Sequence, residues 1–97
     1  MKRSTLVVLA ALLASPAFAQ ENFGRDLAAT CGPCHGTAGR SQNAMPSLAG
    51  LHKDYLVKQM QDFKSGARPA TVMHQLAKGF TDEQIALMAE YFSKQKP

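Results

Sequence analysis

Apolar residues return at helical spacing in three stretches of the chain, separated by stretches rich in Gly, Ser, Asn and Pro. From Asn22 to Thr30, Phe23 and Leu27 stand at i and i+4, which predicts a short helix with both on its apolar face and Asn22 as its N-cap. Residues 36–50 show no sustained period and predict a loop. Periodicity resumes between Leu51 and Ser65, where Leu56, Met60 and Phe63 repeat at i, i+4 and i+7, Asp54 offers a cap and Gly66 a stop. Pro69 then interrupts the pattern and opens a second loop. The last helix is expected to start at Thr81, whose hydroxyl suits the amide of Gln84 while the Gln84 side chain reaches back. Ile85, Met88 and Phe92 form its apolar face, with Leu87 and Tyr91 beside them. No strand is expected: after residue 19 the only Val and Ile are Val57, Val72 and Ile85, and nothing alternates over a strand length. The chain therefore reads as all-α, with three to four helices.

The first nineteen residues differ in character. Lys2 and Arg3 form a positive start, Leu6 to Leu13 an apolar run, and Ala17-Phe18-Ala19 a small-x-small cleavage site. This is the pattern of a secretory signal cut after Ala19, which places the product in the periplasm and leaves residues 20–97 as one small domain. An uncleaved N-terminal anchor is the alternative, disfavoured by the well-placed Ala-x-Ala site. The apolar run is too short to span a bilayer and no later run is longer, so stable membrane insertion is not expected.

Charge adds little. The formal net charge of +4 loses two with Lys2 and Arg3 and becomes +2, far from the concentrated basic face that nucleic acid requires. Lys53, Lys58 and Lys64 could steer an acidic partner if they clustered on one helix face, although scattered lysines on a solvated face are the commoner outcome. A domain this short buries a marginal core by itself and calls for a staple or a cofactor.

The segment Cys31-Gly32-Pro33-Cys34-His35 supplies one. Two thiols three positions apart with a histidine directly behind them are what covalent haem attachment requires. Each thiol can add across one porphyrin vinyl group to give a thioether, and His35 is then held against the iron as an axial ligand. Iron fixed this way cycles between ferrous and ferric, so electron transfer is expected and not bond-making on a substrate. The motif occurs once, so one haem c is expected. A thioredoxin-like dithiol would use the same Cys-Gly-Pro-Cys, but it needs a preceding strand and a βαβ scaffold. Zinc held by Cys31, Cys34, His52 and His74 fails on spacing, because the histidines are not a compact pair. A disulfide between the two cysteines would close too small a loop to stabilise much.

The second axial position has six candidates: Met45, Met60, Met73, Met88, His52 and His74. Met60 and Met88 lie on apolar helix faces and are most simply core residues. Met45 precedes Pro46 in the loop expected on the His35 side, and His52 opens a helix as a solvated or capping residue. Met73 and His74 follow the break at Gly66 to Pro69, and if that segment is helical only one of these neighbours can face the iron. A thioether is soft, neutral and favours ferrous iron, so Met73 is preferred to His74.

With these residues in place, the chain resembles the class I c-type cytochromes over essentially its whole mature length. It looks most like the monohaem cytochrome subunits of flavocytochrome c sulfide dehydrogenases. The resemblance is carried by Cys31 to Ser41, Met45 to Gly50, Phe63 to Met73 and Ala77 to Phe92, of which RPATVM and AKGF are the more specific parts. It implies the small cytochrome c fold, helices wrapped around one covalent haem. It implies thioethers at Cys31 and Cys34, iron ligands His35 and Met73, and a Pro46 carbonyl accepting the His35 imidazole N–H. Many members have two such domains, whereas this chain has one. The resemblance further implies a flavoprotein partner that carries FAD, oxidises sulfide or a related sulfur compound, and hands electrons singly to this haem for a downstream acceptor. No Gly-rich dinucleotide turn is present, so the chain is not expected to be a dehydrogenase alone. A free periplasmic shuttle serving other redox enzymes is the rival role; the resemblance chiefly, and the weak charge secondarily, favour the subunit, while Met45, Leu48 and Leu51 could dock a partner, although burying the haem edge is their commoner use.

Overall fold

The computed structural model describes residues 16–97, so the positive start and apolar run of the expected signal lie outside the described residues. Helices α1 (Pro16–Ala28), α3 (Lys53–Ser65), α4 (Val72–Lys78) and α5 (Asp82–Ser93) are joined by single-turn α2 (Gly32–His35), with 3₁₀ turns at Ala29–Cys31 and Thr37–Gly39. There is no strand among the described residues.

The start of α5 follows from its capping box: Thr81 Oγ1 accepts from the Gln84 amide at 3.1 Å and Gln84 Oε1 from the Thr81 amide at 2.9 Å. Its stripe of Ile85, Met88, Ala89 and Phe92 is buried and joins Leu56 of α3 and Ala28 of α1 in one core. Helix α3 ends where Gly66 turns left-handed, at φ 85°. Its start differs from expectation. His52 holds the N-cap position without a side-chain bond, and Asp54 falls in the first turn, where its charge still favours the helix N-terminus.

Two further expectations are corrected. Asn22 caps nothing, because α1 already runs from Pro16: Pro is tolerated in a first turn, and Ala19, Gln20 and Glu21 are good helix formers. Nor is Phe23 on the inner face, being 48% exposed. Gly24 and Ala28 are buried in its place, because α1 crosses α5 so closely that a Cβ at Gly24 would lie 2.9 Å from the Leu87 carbonyl oxygen. A large side chain cannot enter that crossing. Gly24→Val should therefore push the helices apart, costing about 1–3 kcal/mol by overpacking despite Val's better helix propensity than Gly. Thermal unfolding of the holoprotein should show this as a fall of roughly 4–8 °C per kcal/mol; an unchanged midpoint would mean that the crossing tolerates a side chain.

The second loop is also partly helical, since α4 occupies residues 72–78. Ala77 anchors it, fully buried, while Val72 and Leu76, also at helical spacing, are 59% and 50% exposed. Lys53, Lys58 and Lys64 do not form an uncompensated patch: they lie 3.9 Å from Glu90, 2.8 Å from Asp62 and 3.6 Å from Asp82 respectively. Gln61 donates to Asp82 at 2.9 Å, and this bond, with the Lys64 charge, holds the Asp82 carboxyl below its ordinary value.

Candidate haem-binding site

The segment Ala29 to Gly39 is built of short turns because its residues permit little else. Thr30 bonds its hydroxyl back to the Leu27 carbonyl at 2.7 Å, and Pro33 sits in the first turn of α2, where a missing N–H costs nothing. Gly36 then reverses the chain at φ 89°. No other residue fits, since a Cβ there would lie 1.9 Å from the Arg40 carbonyl oxygen. The reversal brings the 41–47 loop against α2. Ser47 Oγ accepts from the Ser41 amide at 3.0 Å and Asn43 Oδ1 from the Met45 amide at 2.9 Å, which fixes the backbone at Pro46.

His35 is buried, 8% exposed, and its Nδ1 lies 2.7 Å from the Pro46 carbonyl oxygen. A carbonyl only accepts, so Nδ1 carries a proton, and Nε2 is the ring nitrogen left to bind a metal. This is how a histidine is oriented and made more basic toward a metal.

His35 and Cys31 line a cleft of about 210 Å³, and Met73 of α4, Met45 and Pro46 of the loop, and Met60 and Phe63 of α3 line it too. Leu56, Ile85, Met88 and Phe92 also line it, so most of the core forms part of the wall of the cleft. Cys34 stands beside His35 on α2, exposed and as a free thiol. Burial pushes the Cys31 thiol above its ordinary value, against a smaller lowering by its hydrogen bond with Thr30. That direction is the reverse of what an activated dithiol nucleophile needs.

Of the neighbouring candidates on α4, Met73 lines the cleft and His74 does not. His74 donates from Nδ1 to the Phe63 carbonyl at 2.7 Å. His52 is exposed, and the four potential zinc ligands are not gathered, there being no group of three or more such side chains among the described residues. Arg68, Gln59 and Tyr55 also line the cleft without having stood out in the sequence. The Arg68 guanidinium lies 4.7 Å from the Phe63 ring centroid and donates to Gln59 Oε1. Tyr55 and Gln59 stand four apart on α3, but Arg68 of the following turn joins them only on folding.

The donor set fits haem: a free thiol on the wall and another on the adjoining turn, an imidazole whose open nitrogen is Nε2, a thioether, and an apolar lining. No helix among the described residues is long and apolar enough to cross a membrane.

The cytochrome c family model matches residues 23–96. The chain is 46% identical over 72 residues to the cytochrome subunit of sulfide dehydrogenase of Chlorobaculum tepidum, a match covering 74% of this chain and 66% of that protein. It is 40% identical over 84 residues to cytochrome c4 of Azotobacter vinelandii, covering 76% and 40%. It is 43% identical over 72 residues to the thiosulfate dehydrogenase electron acceptor of Thiomonas intermedia, covering 72% and 33%. The matches thus span between one third and two thirds of these relatives' lengths. With a cleft of this chemistry and a family match over residues 23–96, the chain belongs to the cytochrome c family and carries a covalently bound haem c for electron transfer.

Proposed function

We propose that this cytochrome receives single electrons from a flavoprotein that oxidises sulfide or a related sulfur compound, and passes them to a downstream acceptor in the periplasm. In this reading Cys31 and Cys34 would hold the haem through thioethers, His35 Nε2 and Met73 Sδ would bind its iron, and the Pro46 carbonyl would hold the His35 ring. Bound haem supplies an iron that gains and loses one electron. Around it the chain keeps His35 oriented, presents a soft thioether, and walls off water with Met60, Phe63 and Met88. The observation carrying the site is the 2.7 Å bond from His35 Nδ1 to the Pro46 carbonyl, in a cleft that Cys31 and Met73 share. Export would cut the chain after Ala19 and leave α1 to begin at Gln20.

The sulfur assignment is supported by the Chlorobaculum relative, a cytochrome subunit, and the Thiomonas one, an electron acceptor. These names favour different modes of working, a held subunit and a diffusing shuttle. The surface favours the subunit. Lys53, Lys58 and Lys64 are each paired with a carboxylate, which leaves little to steer a transient encounter, while Met45 and Tyr55 of the cleft lining are 40% and 50% exposed. The test is to purify the exported protein with its partner, assay that partner for FAD and sulfide oxidation, and follow haem reduction against ionic strength. A complex that survives gel filtration and reduces the haem at a salt-independent rate is expected. No complex and a steep salt slope would instead mark a free shuttle.

A further inference from the structure

Helix α4 is held unevenly. Its C-terminal half is anchored by Ala77, which is fully buried, and by Lys64, which donates to the following Phe80 carbonyl at 2.6 Å. Its N-terminal half, which carries Met73, has no fully buried residue. Residues 65–72 are all exposed, Val72 by 59%, and Thr71 makes no side-chain cap. Arg68 secures the turn before the helix, through its amide to the Asp62 carbonyl at 3.1 Å and its side chain to Gln59. Within α4 itself, the side-chain hydrogen bond to α3 is that of His74 Nδ1 to the Phe63 carbonyl, 2.7 Å and partly buried. Phe63 lies in the last turn of α3, where carbonyls lack helical partners, and its own side chain lines the cleft.

We propose that His74 is a positioning residue: its bond to the end of α3 latches the first turn of α4 and holds Met73 against the cleft. This rests on the reading of Met73 as an iron ligand. Opening α4 enough to release Met73 must break the latch, so its loss raises the opening equilibrium while leaving the closed state unchanged.

The experiment uses ferric holoprotein and cyanide, which can bind only when the second axial position opens. His74→Ala should bind cyanide about fivefold faster, corresponding to ~1 kcal/mol for one net hydrogen bond, and α4 amides should exchange faster by a similar factor. Its resting near-infrared band and midpoint potential should match the parent. His74→Asn is the decisive companion: its Nδ2 stands where the histidine Nδ1 stood and can donate, yet it has no counterpart of Nε2. Parent-like cyanide binding in this variant supports the latch. An unchanged rate in His74→Ala overturns it, as does equal acceleration in both variants, which would detach the effect from the donor. Failure of the ligand reading shows separately: Met73→Ala would then keep the near-infrared band.

Discussion

Replacing both Cys31 and Cys34 with serine should yield a chain that carries no haem through acid-acetone extraction and whose mass is that of the polypeptide alone. Single variants should mature poorly, because one thioether leaves the porphyrin tethered at one edge. The effect should reach beyond the cofactor. Leu48, Leu51, Met60 and Phe63 line the cleft while only half-buried. Completing their burial supplies about half of the ~1.5–3 kcal/mol that a fully buried apolar side chain contributes. Over these four the sum is roughly 3–6 kcal/mol, a large share of the ~5–15 kcal/mol that holds a small domain together. The double variant should thus lose helical circular dichroism at temperatures where the holoprotein is folded. A variant that stays folded would show that the polypeptide alone closes the core. A native chain of unmodified mass with a redox-active disulfide would return the dithiol reading.

Met73→Ala should erase the weak near-infrared band of ferric iron bound by methionine sulfur and lower the midpoint potential. A soft neutral thioether stabilises ferrous iron more than the water or small ligand that would replace it. Axial ligands tune haem potentials over ~0.8 V, so a fall on the order of 0.1 V is a modest expectation. At 59 mV per tenfold for one electron, that is roughly a fiftyfold change in the equilibrium with any partner. His74→Ala should leave both equilibrium quantities in place, since that side chain is outside the cleft lining and engaged with the Phe63 carbonyl. The reverse pattern, with His74→Ala erasing the band and Met73→Ala sparing it, would hand the position to the histidine.

Features whose physics is local could be read directly from the chain. Cys31, Cys34 and His35 belong to one continuous segment, so their spacing alone restricts the chemistry. Thr81 and Gln84 close a capping box within one turn, Gly66 ends α3 because a left-handed residue is needed there, and the stripes Leu56, Met60, Phe63 and Ile85, Met88, Phe92 follow from helical period alone. What depended on elements distant in sequence could not be read that way. Phe23 looks like the inner face of α1, yet Gly24 takes that place because the backbone of α5 comes within 2.9 Å of where its Cβ would be. Val72, Met73, Leu76 and Ala77 stand at helical spacing, yet Val72 and Leu76 are 59% and 50% exposed, and α4 is anchored instead where Ala77 is buried and Lys64 reaches the Phe80 carbonyl. Between Met73 and His74 the sequence says that neighbours on a helix diverge, and ligand softness prefers the methionine, but neither places the side chains. Folding places Met73 on the cleft lining and His74 on the Phe63 carbonyl at the end of α3, 11 residues earlier in the chain, a pairing that spans two helices and a turn and so has no local signature.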